Sequence, residues 1–300
     1  MKRNKQQPLR TPVPEPSGAE WDRFTDLALE NARLLRREAP GAPDPEGIET
    51  RVSLRRGLKT IWIRVGTEAG SRALRKPMGT YVSLELQPEA FPARRDKNRL
   101  VLALAGELAA MMRLSPDQQV LAVGLGNRAV IYDALGPRTL DRVWVTRHLR
   151  GRLPESLGPI RPVGAFEPGV PGRTGAETGD LLRAAVDQLR PAALIAVDAL
   201  AARNRASLGT VIQLSNAGLC PGAGVAAGRS ALTRETLGVP VYAVGVPMIS
   251  TIETAPDFIV THRALTAQLT FFAEILGRGI NLALHPGLTE EQISQFVEIV

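Results

Sequence analysis

An α/β fold, with three layers and a mostly parallel sheet carrying helices on both faces, is what this sequence predicts, and three observations carry the prediction. From about residue 97 onward, short apolar runs alternate with amphipathic segments, the order expected of a parallel sheet covered on both sides. Two of those runs, QVLAVGLG at 119–126 and AALIAVDAL at 192–200, are apolar almost throughout, as strands buried on both faces are. Each leads into or contains an Asp-Ala-Leu triplet, beginning at Asp133 and at Asp198. The carboxyl ends of strands are where open α/β sheets collect their chemistry, so the two acids are candidates for activating a water if they converge.

Residues 1–20 hold four prolines and little apolar periodicity, which predicts a disordered tail. A helix is expected to begin near Trp21 and to run through LALENARLLRRE, stopping before APGAPDPEG. VSLRRGLKTIWIRV and GTYVSLELQP alternate as strands do, with EAGSRALRKP between them as a short helix or turn. Leu100, Leu104, Leu108 and the pair Met111/Met112 recur at helical spacing, predicting a helix over 97–112. The order then becomes strand QVLAVGLG, helix through RTLDRVWVTRHL, a proline-rich loop, helix ETGDLLRAAVDQL and strands AALIAVDAL and TVIQLS. A glycine-rich loop, strand VPVYAVGV and two helices in AQLTFFAEILGRGINLAL and TEEQISQFVEIV complete the chain. The domain organisation predicted is a tail over 1–26 and a single α/β domain over 27–300.

The 300 residues, 44% hydrophobic, suffice for a buried core. The net charge of +7 arises from 37 basic and 30 acidic residues that are intermixed. Only MKRNKQQPLR is locally basic and it lacks interleaved aromatics, which argues against a nucleic-acid surface. A single cysteine, Cys220, rules out an internal disulfide framework and fits a reducing, cytoplasmic compartment. No run approaches the roughly 18 apolar residues of a membrane span, so no membrane association is expected.

Gly124, Gly126 and Asn127 follow a strand directly and read as a tight turn that presents Asp133. The string is not GxGxxG, and no cofactor is expected. Asp133 precedes a helix and has an ordinary alternative as its N-cap. Asp198 ends the most apolar strand, where an acid must be partnered or protonated, and its ordinary alternative is a structural hydrogen bond. HExxH and GxSxG are absent, and His148, His262 and His285 are not spaced as metal ligands. Cys220 lies in the loop containing Gly222 and Gly224, a candidate substrate- or subunit-contacting loop. Pepsin-like Asp-Thr-Gly strings are also absent, so an aspartic peptidase built on these acids is atypical.

The residues resemble the germination proteases of endospore-forming bacteria. The resemblance rests on TDLALE at 25–30, GTYVSLE at 79–85, VGLGN at 123–127, DALGP at 133–137 and VTRHL at 145–149. It continues through RPVGAFEPGVPGRTGAET at 161–178, VDALAAR at 197–203, TVIQLSNAGLCPGAG at 210–224 and ETLGVPVYAVGVP at 235–247. It implies a fold similar to the hydrogenase maturation endopeptidases, an aspartate pair falling on Asp133 and Asp198, and small acid-soluble spore proteins as substrates. It further implies a location in the spore core, a homo-oligomer (a tetramer), and a zymogen that removes a short propeptide by itself. Thr25-Asp26-Leu27-Ala28-Leu29-Glu30 is similar to the family's cleavage sites, which places the expected cut between Asp26 and Leu27. Where the family commonly reads IQISDTGIHPGSG, this chain carries Asn216, Ala217, Cys220 and Ala223. Two alternatives remain at this point: a metal-dependent or metal-sensing maturation peptidase, and a relative that binds such proteins without cutting them.

Overall fold

The computed structural model describes residues 25–41, 43–86, 94–152, 157–220, 231–252 and 255–297. Among them nine strands form one sheet in the order β1-β2-β3-β7-β8-β6-β4-β5, with β9 paired to β8. The chain begins with helix α1 (Ala28–Glu38), strands β1 (Ile48–Arg55) and β2 (Leu58–Val65), helix α2 (Glu68–Leu74), strand β3 (Gly79–Leu86) and helix α3 (Arg94–Met112). Strand β4 (Val120–Gly124), helix α4 (Leu135–Leu140), strand β5 (Val163–Phe166), helices α5 (Pro171–Thr174) and α6 (Thr178–Leu189) and strand β6 (Ala193–Ala202) follow. Strand β7 (Val211–Ser215), helix α7 (Arg234–Leu237), strands β8 (Val241–Ile252) and β9 (Ala255–Thr261) and helices α8 (Leu265–Leu284) and α9 (Glu290–Val297) complete it.

The three-layer α/β architecture is as expected, and the sheet within it is mixed. Strands β5, β4, β6 and β8 are parallel neighbours, whereas β1, β2, β3, β7 and β8 pair antiparallel. The antiparallel half starts with a two-residue hairpin: Arg55 pairs with Leu58, and Arg56 (φ 51°) and Gly57 (φ 82°) are both left-handed, the backbone of a type I′ turn. That turn divides the alternating run VSLRRGLKTIWIRV into two strands.

Strand β6 explains the layers. Its odd residues Ala193, Ile195 and Val197 enter a core shared with α3 and α8 through Leu100, Leu104, Phe272, Ile275 and Ile280. Its even residues Leu194 and Ala196 enter a second core with Leu182 and Val186 of α6 and Leu237 of α7. All five are fully buried, and each branched aliphatic side chain so removed from water contributes about 1.5–3 kcal/mol. On the same face as α6, but over the antiparallel half, α1 and α2 cover Ile61, Ile63 and Tyr81 with Ala28, Leu29 and Leu74.

Several elements differ from the sequence reading, among them strand β9, to which the sequence reading assigns no element. The helix expected over 138–149 is the shorter α4, followed by turns and a 3₁₀ turn at Arg147–Leu149. Asn281 of α8 accounts for this: its Oδ1 accepts from Trp144 N–H (2.8 Å) and its Nδ2 donates to Arg142 O (2.8 Å), drawing the backbone out of helix. Strand β5 is only four residues long and leaves little alternation to read. Helix α1 starts at Ala28, whereas Trp21 lies outside the described residues. No helix among the described residues is long and apolar enough to cross a membrane.

At the end of α8, His285 is 2% exposed and stands 5.0 Å from Trp144, ring to ring. Neither of its ring nitrogens has a hydrogen-bond partner among the described residues. Burial, reinforced by the nearby Arg161 guanidinium, lowers its pKa from 6.5 to about 4. Between those values the unfolded chain takes up a proton that the folded protein refuses, so stability falls as the pH drops through that window. His285→Leu should flatten this component: urea unfolding at pH 7.5 and pH 5 should show an acid-induced loss smaller than in the wild type by roughly 2 kcal/mol. Equal losses in the two proteins would refute it.

Candidate active site

Strands β4 and β6 are parallel neighbours with Gly124 opposite Val197, so the loop leaving β4 starts beside Val197, while β6 continues past it as far as Ala202. Leu125 N–H extends the pairing by donating to Val197 O at 2.9 Å. The start of α4 is then drawn tightly onto both strands. A Cβ on Gly136 would lie 2.4 Å from Leu125 O and 2.5 Å from Val197 O, and one on Gly124 would lie 2.7 Å from the Gly136 carbonyl carbon. Only hydrogen fits at either position. The intervening 3₁₀ turn, Ile131–Asp133, consequently rests against β6 and β8.

Within that loop Gly126 has φ +103°, and a Cβ there would be 2.0 Å from Asp133 O. The Asp133 carboxylate turns back over the same glycine, and its Oδ2 accepts from Asn127 N–H at 2.7 Å. It does not serve as the helix cap: the N-cap of α4 is Ala134, without a side-chain bond. Asp198 is 5% exposed, and its Oδ1 accepts from the adjacent Ala199 N–H at 2.9 Å. Asp198 does not end its strand as the sequence suggested: β6 runs on to Ala202, because β8 keeps pairing with it as far as Ser250. Asp198 therefore lies within a buried strand, one residue past its last pair with β4, and Asp133 lies on a turn packed against that strand.

Charged groups fasten the loop from outside. Arg128 makes two bonds to Asp141 (2.8 and 2.9 Å), reaches Glu167 at 2.8 Å and donates to Pro137 O at 3.1 Å. It therefore links the loop to the end of α4 and to the chain just past β5, in the forked geometry that guanidinium groups favour with carboxylates. Asn127 Oδ1 accepts from Ala129 N–H (3.0 Å) and from Arg173 (3.1 Å).

The expected processing site lies farther along β6, at its carboxyl end. Asp26 N–H donates to Ala201 O at 2.9 Å, and Asp26 Oδ2 accepts from Ala201 N–H at 2.7 Å. Lys76 Nζ donates to Thr25 O at 2.8 Å. Burial pushes Asp26 above its ordinary pKa and Lys76 below its own, and in each case the charge of the other opposes the shift. Leu27 is 0% exposed, packed on Leu200, Ala202 and Val211. The Glu30 carboxylate closes the segment by accepting from Arg203 N–H (2.7 Å), Asn204 N–H (3.0 Å) and Ser207 Oγ (2.6 Å). Thr25 and Asp26 are thus seated against the domain.

Gly124, Gly126, Asn127 and Asp133 share the loop that leaves β4, Asp198 is on the adjacent strand β6 with Asp26 and Leu27 seated farther along it, and Gly222 and Gly224 lie outside the described residues. Cys220 is exposed. His148 is in the 3₁₀ turn after α4, and His262 Nδ1 accepts from Ala264 N–H at 3.1 Å. Among the described residues, no three His, Cys, Asp or Glu side chains are grouped as metal ligands would be. A groove of about 950 Å³ lined by Lys97, Arg142, Glu274, Arg278 and Glu290 includes neither acid. Sequence reasoning missed Lys76, Gln213 and the 203–207 turn. Gln213 alone left a trace, as the amide inside the strand TVIQLS.

Residues 28–262 match the family model described as germination protease. A germination protease of Caldanaerobacter subterraneus subsp. tengcongensis is 36% identical over an alignment spanning 91% of this chain and 97% of its own. That of Clostridium acetobutylicum is 30% identical over 91% and 98%, and that of Priestia megaterium 34% identical over 90% and 76%.

The three bonds to Glu30 make this carboxylate the anchor of α1. Glu30→Ala strands two backbone N–H groups, and should cost about 3 kcal/mol in urea unfolding, with residues 28–38 the first to lose protection from hydrogen exchange. An unchanged midpoint and unchanged protection would show that α1 is held by its apolar contacts alone.

Proposed function

Since this chain belongs to the germination protease family and is an endopeptidase, we propose that it is an atypical aspartic peptidase, made as a self-processing zymogen, that degrades small acid-soluble spore proteins at germination. Asp133 and Asp198 are the catalytic pair in this reading. The observation that supports it is that the turn bearing Asp133, in the loop that leaves β4, packs against β6, the parallel neighbour that bears Asp198, with Asp26 seated on the same strand opposite Ala201, three residues beyond Asp198.

Two carboxylates that share a water do not both ionise at low cost, so one keeps a proton while the other acts as base. The base takes a proton from the water as its oxygen attacks the peptide carbonyl carbon. The protonated acid assists the oxygen or the departing nitrogen, and the peptide C–N bond breaks to leave a carboxylate and an amine, with no acyl-enzyme in between. Such a pair titrates as a unit, so the proton belongs to both acids. In cis, the cut falls between Asp26 and Leu27 and releases residues 1–26 as the propeptide of a domain spanning 27–300. Spore proteins cut in trans make the spore core the place of action.

Asp133→Asn and Asp198→Asn should each abolish both the mass loss of residues 1–26 and the cleavage of an added small acid-soluble spore protein, with thermal unfolding close to that of the wild type. Retained cleavage by either folded variant would refute the pair. Binding of the spore protein with no cleavage by the wild type would favour a silent binder, and activity abolished by chelators and restored by a metal would favour the metal-dependent alternative.

A further inference from the structure

The side chain of Gln213 on β7 bonds the backbone on both sides of Leu27. Its Nε2 donates to Asp26 O at 3.0 Å, and its Oε1 accepts from Ala28 N–H at 2.8 Å. Donating to the carbonyl before a residue and accepting from the N–H after it is how one residue of a parallel strand pairs with its neighbour. The Gln213 amide therefore behaves as one unit of an added strand, in register with Leu27. It is buried, 7% exposed, so the arrangement is built into the fold.

The sheet places this amide in line with Asp198. Gln213 pairs with Gly245 of β8, and Gly245 pairs with Asp198 of β6, so the two residues project from one face on one row of the sheet. At a strand spacing of about 4.8 Å, their Cα atoms are roughly 10 Å apart. A Cβ on the intervening Gly245 would lie 2.6 Å from Leu200 Cγ, so the glycine lets Leu200 lie across the row, and Leu200 is the floor on which Leu27 packs.

We propose that Gln213 is a substrate-positioning residue for processing in cis: it selects the bond between Asp26 and Leu27 and donates to the carbonyl oxygen that becomes negative during the attack. This rests on the reading that this bond is the one cut. Water oxygen bonds to the Asp26 carbonyl carbon, the C–N bond to Leu27 breaks, and the nitrogen of Leu27 receives the proton. Losing one donor from such an oxygen slows a reaction by about 10²-fold. The donor and acceptor ends of the amide can be separated experimentally, because a glutamate at this position keeps the acceptor for Ala28 N–H and loses the donor to Asp26 O.

The test follows the intact mass of the full chain over time for wild type, Gln213→Glu and Gln213→Leu, with unfolding midpoints and exchange protection of residues 28–38 recorded beside it. Gln213→Glu should process about 10²-fold more slowly than wild type while α1 keeps its protection, and Gln213→Leu should be at least as slow and should spread the cut to neighbouring bonds. A purely structural role predicts the reverse pattern, in which Gln213→Glu processes at the wild-type rate and only Gln213→Leu is slowed, together with loss of α1 protection. That result overturns the assignment to Gln213 and leaves the aspartate pair standing. A wild type that is cut elsewhere, or not at all, removes the cis-processing reading and this proposal with it.

Discussion

The close approach of α4 to the end of β4 and to the middle of β6 governs the rest of this region. Gly136 sits where any side chain would strike Leu125 and Val197, and Gly124 sits where one would strike Gly136. Because both are glycine, a helix end can lie directly on the backbone of two strands. The turn bearing Asp133 is thereby held against the strand bearing Asp198. Interiors are close-packed, so the added methyl groups would have nowhere to go, and the turn would lift away from β6.

Four carboxylates in this region accept from backbone N–H groups. Asp133 accepts from Asn127 N–H, Asp198 from Ala199 N–H, Asp26 from Ala201 N–H, and Glu30 from Arg203 and Asn204 N–H. Carboxylates held by main-chain donors stay in place without a long flexible partner, and the desolvation cost of burial is offset locally. The same strand that positions one candidate acid therefore also seats the chain's own N-terminal segment. Arg128 adds the complementary device, a planar cation shared by Asp141 and Glu167 that ties three stretches of chain together at the rim of the site.

Much of the fold was legible because the local pattern and the tertiary environment agree. The apolar run at 192–197 reads as a strand buried on both faces, and β6 is buried on both. Leu100, Leu104 and Leu108 read as one helical face, and all three sit in the main core. Reading failed where a distant side chain redirected the backbone. Asn281 takes hold of Arg142 and Trp144, about 140 residues away in sequence, and the helical pattern of RTLDRVWVTRHL is overridden. The antiparallel half of the sheet was hidden for a related reason, since β3 finds its partner β7 across more than a hundred residues and strand direction leaves no mark on alternation.

The candidate site divides along the same line. The sequence alone was enough to pick out the candidate acids Asp133 and Asp198 and the glycines around them, because a carboxylate beside an apolar run and a glycine at a forced turn are local signals carried by a few consecutive residues. It also marked residues 25–30 as a distinct segment. What that segment touches emerges only on folding: Ala201, the 203–207 turn, Lys76 and, above all, Gln213, which stands 187 residues from Asp26. Those partners are ordinary residues in ordinary elements, and their roles arise from strand order and register, which depend on long-range packing that no local pattern encodes.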